Sequence, residues 1–271
     1  MFQKLRQWLG LTRPAASIPD NLWVRVESSL PFLTYLGAAE RARLRELARG
    51  FLACKQFHGA QGLRLTDEML LAIALQACLP ILNKGLDAYR SWVGVIVYPG
   101  DFIIPRREMD DDGVVHEYDD EVLGEAWEGG PVVLSWFPGP PAPAGVNVVI
   151  HEFAHKLDME NGGADGFPRL PAGMSRRAWA DAFSSAYDDL CEDVDAGRDN
   201  VLDPYAAESP GEFFAVASEA FFETPVLLAA RYPAVYAQLA AFYGTDPAAG
   251  ERRLVGRSSS AKGPAYRIPP T

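Results

Sequence analysis

The segment His151-Glu152-Phe153-Ala154-His155 places two imidazoles and one carboxylate at a spacing suited to a metal ion. Residues four apart on a helix lie one turn above each other, so His151 and His155 project from the same face. Two neutral imidazoles suit zinc, and Glu152 is offset around the helix, where it can deprotonate a water that the ion activates. The pattern therefore predicts a zinc-dependent hydrolase with Glu152 as its general base.

The same pentapeptide also occurs by chance on soluble helices, where its His and Glu residues form a solvated face. Here an apolar run at 148–150 precedes it, and Phe153, Ala154 and Leu157 form an apolar face opposite the histidines. This distribution predicts an amphipathic helix whose polar stripe faces a cleft. A catalytic zinc needs a third protein ligand, so the interpretation depends on what the rest of the chain supplies.

A carboxylate is a better candidate for the third ligand than another histidine. The chain has four histidines, and the remaining two, His58 and His116, have no partner at ligand spacing and are predicted to lie on the surface. Glu212 and Glu219 are seven residues apart, on one face of a strongly apolar predicted helix. An unpaired buried carboxylate is costly, and a zinc ion shared with the two histidines would offset that cost. One of these glutamates is predicted to be the third ligand.

Glu212 also has a simpler interpretation as part of a helix cap. Ser209 is a predicted N-cap, Pro210 occupies the first turn, and Glu212 stands three residues after the cap. In a capping box the Glu212 carboxylate would reach back to the Ser209 backbone and bind no metal. The residues alone leave both roles open.

Longer stretches of the chain resemble the Mlc titration factor A family of bacterial zinc peptidases, whose catalytic domain is similar to that of anthrax lethal factor. The matching segments are His-Glu-Phe-Ala-His-Lys-Leu-Asp at 151–158, Asp-Pro-Tyr-Ala-Ala at 203–207 and Pro-x-Glu-Phe-Phe-Ala-Val-x-Ser-Glu at 210–219. Further similarity lies at 62–69, 76–80, 96–100 and 130–136. The resemblance implies an α+β, zincin-like metallopeptidase domain, in which a small sheet backs the metal-binding helix and the N-terminal part is largely helical.

The resemblance also implies a role for each matched residue. One zinc ion per chain would be bound by His151, His155 and Glu212. Glu152 would be the base, and the phenol of Tyr205 would hydrogen-bond the tetrahedral intermediate where charge develops. Glu219 would support the site, although its position on the helix also suits a ligand.

Two further residues keep a second interpretation. Without the resemblance, Tyr205 would be interpreted as a half-buried loop residue beside Pro204. Asp158 lies three residues after His155 and suits two roles equally: orienting a ligand histidine, or ending the helix before an Asn-Gly-Gly sequence at 161–163.

The predicted substrate is a peptide or protein. Peptide substrates of such sites often lie along an exposed strand edge, and residues 94–98 and 132–136 are the predicted strands. Their nearly continuous apolar content is also typical of interior strands. The sequence does not show which strand forms the edge.

The family name adds a second function, because its founding member sequesters Mlc, a repressor of glucose-uptake genes. An Mlc-like transcriptional repressor is therefore a predicted partner, and a non-catalytic regulatory protein that sequesters such a repressor is the alternative to a peptidase. A structural zinc module is disfavoured, because a site closed by four ligands would not need Glu152 or Tyr205.

The composition of the chain bears on its partners and on its cellular compartment. The 25 Lys and Arg residues against 36 Asp and Glu residues give a net charge of −11, which disfavours a nucleic-acid partner. No stretch approaches the ~20 apolar residues of a membrane span, and residues 1–10 lack the apolar core of a signal peptide. The three cysteines are far apart and are predicted to be reduced thiols. These features predict a cytoplasmic protein.

The patterning predicts one domain with an appended segment at each end. Helical periodicity covers residues 20–55 and 66–92, with Thr66 as an N-cap, and strands lie between 93 and 137. Further helices are predicted at 175–197, 209–223 and 225–243. The predicted layout is an N-terminal segment (1–19), a helical N-terminal part (20–92), a zincin-like catalytic part of the same domain (93–249) and a mobile C-terminal tail (250–271).

Overall fold

The computed structural model describes residues 18–100, 102–109, 115–122, 124–136 and 145–260, with side chains for 18–100, 124–136 and 145–254. Its helices are α1 (Asp20–Ser28), α2 (Ala38–Cys54), α3 (Asp67–Cys78), α4 (Val148–Asp158), α5 (Arg176–Asp195), α6 (Pro210–Glu223), α7 (Pro225–Arg231), α8 (Pro233–Tyr243) and α9 (Pro247–Ser260). Short 3-10 turns span Pro31–Tyr35, Leu86–Tyr89, Met159–Asn161 and Pro204–Ala207. The strands are β1 (Gln56–Gly59), β2 (Gly94–Tyr98), β3 (Phe102–Met109), β4 (Val115–Val122), β5 (Gly124–Ala126) and β6 (Val132–Ser135).

Four of the strands form one sheet in the order β1-β2-β6-β5. The first three are parallel, and β5 runs antiparallel to β6 with Gly124 opposite Leu134. Strands β3 and β4 form a separate antiparallel hairpin. The predicted strands at 94–98 and 132–136 correspond to β2 and β6, which occupy the two interior positions. The edges of the sheet are instead β1 and β5, two short strands that the sequence did not predict.

Helix α4 lies between the sheet and α6. It contacts β5 and β6 on one side and α6 on the other, and it also touches α3. Its apolar face is anchored by Ile150 and Phe153, both fully buried. The Phe153 ring packs edge-on against Phe51 and Tyr89, with centroids 5.6 and 5.2 Å away. Aromatic contacts of this kind add to the stabilisation from burial and fix the orientation of the helix.

These observations confirm the predicted fold class. The chain forms an α+β domain, in which a small sheet backs α4 and the N-terminal part is largely helical. The predicted cap at Thr66 is also present, since its hydroxyl accepts a hydrogen bond from the Met69 N–H at 3.2 Å.

Several predicted helices are shorter than their periodicity suggested. The 66–92 region is α-helical only to Cys78, because Pro80 has no backbone N–H with which to continue the hydrogen bonds of the helix. The 20–55 region is divided by the 3-10 turn that Pro31 opens, and the 225–243 region by Pro233, which starts α8. The 175–197 and 209–223 helices appear as α5 and α6.

The ends of the chain are only partly described. Helix α9 runs through the first residues of the predicted 250–271 tail, and a Cβ on Gly250 would lie 2.7 Å from the Tyr35 Cβ, so this helix packs closely on the N-terminal part. Residues 1–17 and 261–271 lie outside the described residues, and the proposed division at 92 and 93 stays a prediction. None of the described helices is long and apolar enough to cross a membrane.

Candidate metal centre

The start of α4 is fixed by Asn147, whose side-chain oxygen accepts a hydrogen bond from the Ile150 N–H at 3.0 Å. The Asn147 amide nitrogen donates to Gln76 of α3 at 2.8 Å and to Glu223 of α6 at 2.7 Å. Its backbone N–H donates to Glu219. One capping residue therefore sets the position of the histidine-bearing helix relative to two neighbouring helices.

The start of α6 directs Glu212 towards α4. The Ser209 hydroxyl accepts a hydrogen bond from the Glu212 N–H at 3.1 Å, as predicted for an N-cap. The Glu212 carboxylate lies 3.0 Å from His151 Nε2 and 3.3 Å from His155 Nε2. The capping-box alternative is therefore not what the structure shows, because this carboxylate faces the histidines.

The first turn of α6 is held in place by close backbone packing. A Cβ on Gly211 would lie 2.6 Å from the Ala164 carbonyl oxygen, and a Cβ on Gly166 would lie 2.4 Å from the Pro210 carbonyl oxygen. Gly166 also has a positive φ of 77°. The segment after α4 therefore contacts α6 at a distance that glycine alone permits.

Three potential ligand atoms converge between α4 and α6. The Nε2 atoms of His151 and His155 are 3.1 Å apart, and the ligand atoms of these histidines and Glu212 all lie within 4.8 Å of one another. Within the described part of the chain, no other group of three or more His, Cys, Asp or Glu residues is clustered this way. Two nitrogens and one oxygen with an open fourth position form the ligand set of a catalytic metal.

A contact between Glu219 and the Nδ1 atom of His151 explains why the Nε2 lone pair of His151 points into this cluster. Glu219 Oε1 lies 2.7 Å from His151 Nδ1, so the carboxylate holds the imidazole proton at Nδ1 and leaves a lone pair at Nε2. That lone pair, the Nε2 atom of His155 and the Glu212 carboxylate face the same point. Only a cation or a shared proton relieves their mutual repulsion, so the residues fit a metal ion.

The pKa values of His151 and Glu212 also indicate a site for a cation. Burial alone would lower the pKa of His151, but hydrogen bonds to Glu212 and Glu219 outweigh it and raise this pKa well above its usual value. Burial would raise the pKa of Glu212, but the two imidazoles outweigh it and lower this pKa to about 2. The cluster therefore favours a positive charge between these residues, which a proton supplies in the metal-free protein and a metal ion would supply in its place.

Glu152 lies beside this cluster and is almost completely buried, with 3% of its surface exposed. Its Oε2 atom has no hydrogen-bond partner among the described residues, and burial raises its pKa to about 8. A Cβ on Gly124 would lie 2.3 Å from Glu152 Oε1, so edge strand β5 lies directly against this carboxylate. Sequence reasoning missed Gly124, although a glycine within a strand is one sign of such a close approach.

Tyr205 lies at the rim of the cluster on the 3-10 turn Pro204–Ala207. Its N–H donates to the Asp203 side chain at 2.9 Å, which fixes the start of the turn. The Tyr205 ring centroid is 6.0 Å from that of His151, and 44% of the residue is exposed. The Tyr205 ring therefore lies next to the cluster of histidines and Glu212 and within reach of solvent.

The remaining polar residues singled out in the sequence lie around this cluster or away from it. Asp158 is fully buried and accepts a hydrogen bond from the Gly166 N–H at 2.7 Å, which ties the end of α4 to the segment that contacts α6. Burial raises the Asp158 pKa to about 7. His58 is exposed on edge strand β1, and the side chain of His116, like the acidic residues near it, lies outside the described residues.

Comparisons with known proteins agree with this geometry. The family model described as "Glucose-regulated metallo-peptidase M90" matches residues 3–244. The chain is 38% identical over 246 residues to Mlc titration factor A of Salmonella arizonae, covering 89% of this chain and 97% of the relative. It is 41% identical over 226 residues to the protein of that name from Pectobacterium atrosepticum, covering 82% and 85%.

The family match covers every residue of the cluster on α4 and α6 as well as the N-terminal helices. The match over most of the chain shows that it belongs to the glucose-regulated metallo-peptidase M90 family, and its relatives include proteins named Mlc titration factor A.

Proposed function

We propose that this chain is a zinc-dependent peptidase of the HExxH-plus-Glu type, with His151, His155 and Glu212 as ligands of one zinc ion. The observation that supports this most directly is the convergence of their three ligand atoms within 4.8 Å, on helices that are far apart in sequence. Two imidazoles and one carboxylate with an open position are the ligands of known zinc peptidases. The unpartnered carboxylate of Glu152 beside them supplies the group that hydrolysis needs.

Zinc bound by these residues would polarise the scissile carbonyl and lower the pKa of water toward ~7. The residues of the chain perform the proton transfers. Glu152 takes a proton from water at its free Oε2 atom and later donates it to the leaving amine. Its pKa of about 8 falls when a cation is present nearby, so the carboxylate is ionised and basic near neutral pH.

Tyr205 is proposed to stabilise negative charge on the substrate carbonyl oxygen. Its ring lies beside that of His151, and the residue is partly exposed to solvent. A hydroxyl donor at this place acts most strongly when charge develops in the transition state.

The substrate is proposed to be a peptide that pairs with β5. This strand is an edge of the sheet, and its Gly124 touches Glu152. An extended peptide added to the outer side of β5 would bring its backbone next to the base, in the way that exposed sheet edges bind peptides. The sequence pointed to β2 and β6 for this role, but their interior positions leave no edge for a substrate.

A regulatory role is the second candidate function, and the name of the relatives favours it. Proteins of 36–41% identity to this chain carry the name Mlc titration factor A. An Mlc-like transcriptional repressor is therefore a proposed partner. It would be bound either in addition to peptidase activity or, if the site proves inactive, instead of it.

The decisive experiment measures bound zinc per chain and the hydrolysis of short chromogenic peptides by the wild type and by Glu152→Gln at equal zinc content. We expect one zinc per chain in both proteins and a rate reduced roughly 10²- to 10⁴-fold in the variant, which is what loss of a general base costs. Equal rates would contradict the assigned base. Zinc binding with no Glu152-dependent hydrolysis would favour the regulatory function.

A further inference from the structure

Lys156 connects the histidine-bearing helix to the turn between β5 and β6. Its side chain is buried, with 4% of the residue exposed, and its ammonium group donates to the carbonyl oxygens of Trp127 and, at 2.8 Å, of Gly130. These two residues bracket the turn, in which the Gly130 N–H donates to the Trp127 carbonyl at 2.9 Å. The lysine therefore links both ends of one turn to α4.

This contact attaches β5 to α4 at one end of the strand, and Glu152 contacts the strand at the other end. Lys156 follows Glu152 by four residues, so both project from the same side of the helix. Glu152 contacts Gly124, the first residue of β5. Lys156 binds the turn that follows Ala126, the last residue of β5. Strand β5 has three residues and, among the described strands, pairs with β6 alone, so its contacts with α4 contribute to its distance from the helix.

Burying a lysine at this position has a cost in free energy. Removing an ammonium group from water costs free energy that hydrogen bonds must offset, whereas an apolar side chain of similar length would avoid that cost. Charge-assisted hydrogen bonds to two carbonyls are directional, and they define a fixed distance between helix and turn. The Lys156 ammonium also lies 5.2 Å from the centroid of the Trp92 ring.

We propose that Lys156 is a positioning residue of the reaction. It holds β5 at the distance from Glu152 at which a peptide paired with β5 presents its scissile bond to the base. This inference rests on the proposed peptidase function. It adds a residue that neither binds metal nor touches the reacting atoms.

Lys55 provides a matched control within the same protein. It is also buried, at 8% exposed, and its ammonium group also donates to two backbone carbonyls, those of Tyr89 and Trp92. It lies over the same Trp92 ring, 3.6 Å from the centroid. Its carbonyl partners precede β2, however, and not β5. Lys55 therefore has the same chemistry without the attachment to the substrate strand.

The test compares Lys156→Met with Lys55→Met in the full chain. In the metal-free proteins, hydrogen exchange of the backbone amides at 124–130 should accelerate at least 10-fold in Lys156→Met and remain at the wild-type rate in Lys55→Met. In the zinc-loaded proteins, kcat/KM for an extended peptide should fall roughly 10- to 100-fold in Lys156→Met alone, the scale of a small misplacement of reacting groups. Both variants should retain the zinc content of the wild type.

The outcomes distinguish this inference from the proposed function. If the wild type and Lys55→Met are active and Lys156→Met matches them in exchange at 124–130 and in kcat/KM, the positioning role is wrong while the peptidase stands. If the wild type hydrolyses no peptide, the proposed function fails, and with it the catalytic part of the inference, although exchange still tests the attachment. If Lys156→Met does not fold, Lys156→Gln replaces it, because glutamine keeps an N–H donor without the charge. The same changes in exchange and in kcat/KM are then expected, and their absence would contradict the positioning role.

Discussion

Two clusters of acidic side chains in this protein have their negative charge balanced in different ways. On α5, Asp193 accepts hydrogen bonds from Arg198 at 2.7 Å and Arg231 at 3.0 Å. Between α4 and α6, the partners of Glu212 are the imidazoles of His151 and His155. Arginine is always protonated, whereas histidine changes its charge near neutral pH. The first cluster carries its own cations, and the second has a place for an exchangeable one.

The pKa of Glu212, like that of Asp193, is lowered to about 2, and the difference lies in the carboxylates around Glu212. The Arg198 guanidinium, followed by Arg231 and Asn200, lowers the pKa of Asp193 to about 2. In the other cluster, burial raises the pKa of Glu152 to about 8 and also raises that of Glu219. The acidic groups paired with arginines connect α5 to α7, and their charge is balanced without an added cation. The raised pKa values of Glu152 and Glu219 would fall if a cation were bound nearby, which is what a metal site provides.

The largest expected effect is loss of the metal in Glu212→Ala. Removing one of three ligands should reduce zinc affinity by more than the roughly 10- to 100-fold typical of residues that only support a ligand. Asp193→Ala is the control, because it removes an acidic group from the arginine cluster and should leave zinc affinity unchanged. Metal titration with a chromogenic chelator measures both. Equal zinc affinity in Glu212→Ala and the wild type would remove Glu212 from the ligand set.

Tyr205→Phe should separate chemistry from metal binding. Loss of one hydrogen-bond donor to a developing oxyanion typically lowers kcat roughly 10²- to 10³-fold, and the phenol is not a ligand, so zinc content should not change. Tyr232→Phe is a matched control in the arginine cluster, where this hydroxyl contacts Asp189 at 3.0 Å. Its kcat should equal that of the wild type. A fully active Tyr205→Phe would exclude the phenol from the mechanism.

Glu219→Gln should weaken zinc binding roughly 10- to 100-fold, because the carboxylate orients His151 and makes its Nε2 atom a better ligand. Glu223→Gln is its control on the same helix. Glu223 accepts hydrogen bonds from Asn147 and from the Gly145 N–H at 3.1 Å, with no histidine among these partners. Isothermal titration of zinc into both variants gives the comparison. A larger effect in Glu223→Gln would contradict the assigned role of Glu219.

The smallest effect should appear in acid, as a difference in stability between the wild type and Asp193→Asn. The folded state lowers the pKa of Asp193 from 3.8 to about 2, so its ionised form contributes stability above pH ~4. This contribution is lost as the pH falls through about 2. The wild type should therefore have the higher melting temperature at pH 5, and the difference should shrink toward pH 2. A difference independent of pH would show that the charge of Asp193 does not matter.

Local features of the sequence predicted the caps and the helix that carries the two histidines of the proposed metal site. Thr66 and Ser209 cap α3 and α6 as expected, because an N-cap depends on a residue and the backbone three positions later. Periodicity alone did not locate the ends of the 66–92 helix, which stops near Pro80. The short strands β1 and β5 gave little local signal, because four and three residues show no reliable alternation.

The sequence by itself determined that His151 and His155 share one face with Glu152 beside them, because a helix imposes that geometry on residues one turn apart. It also limited the proposed third ligand to two glutamates of one helix. Only the tertiary structure decided that Glu212 faces the histidines while Glu219 supports His151 from behind. The same holds for Gly124 and Lys156, since their contacts join segments whose separation along the chain carries no information about their distance in space.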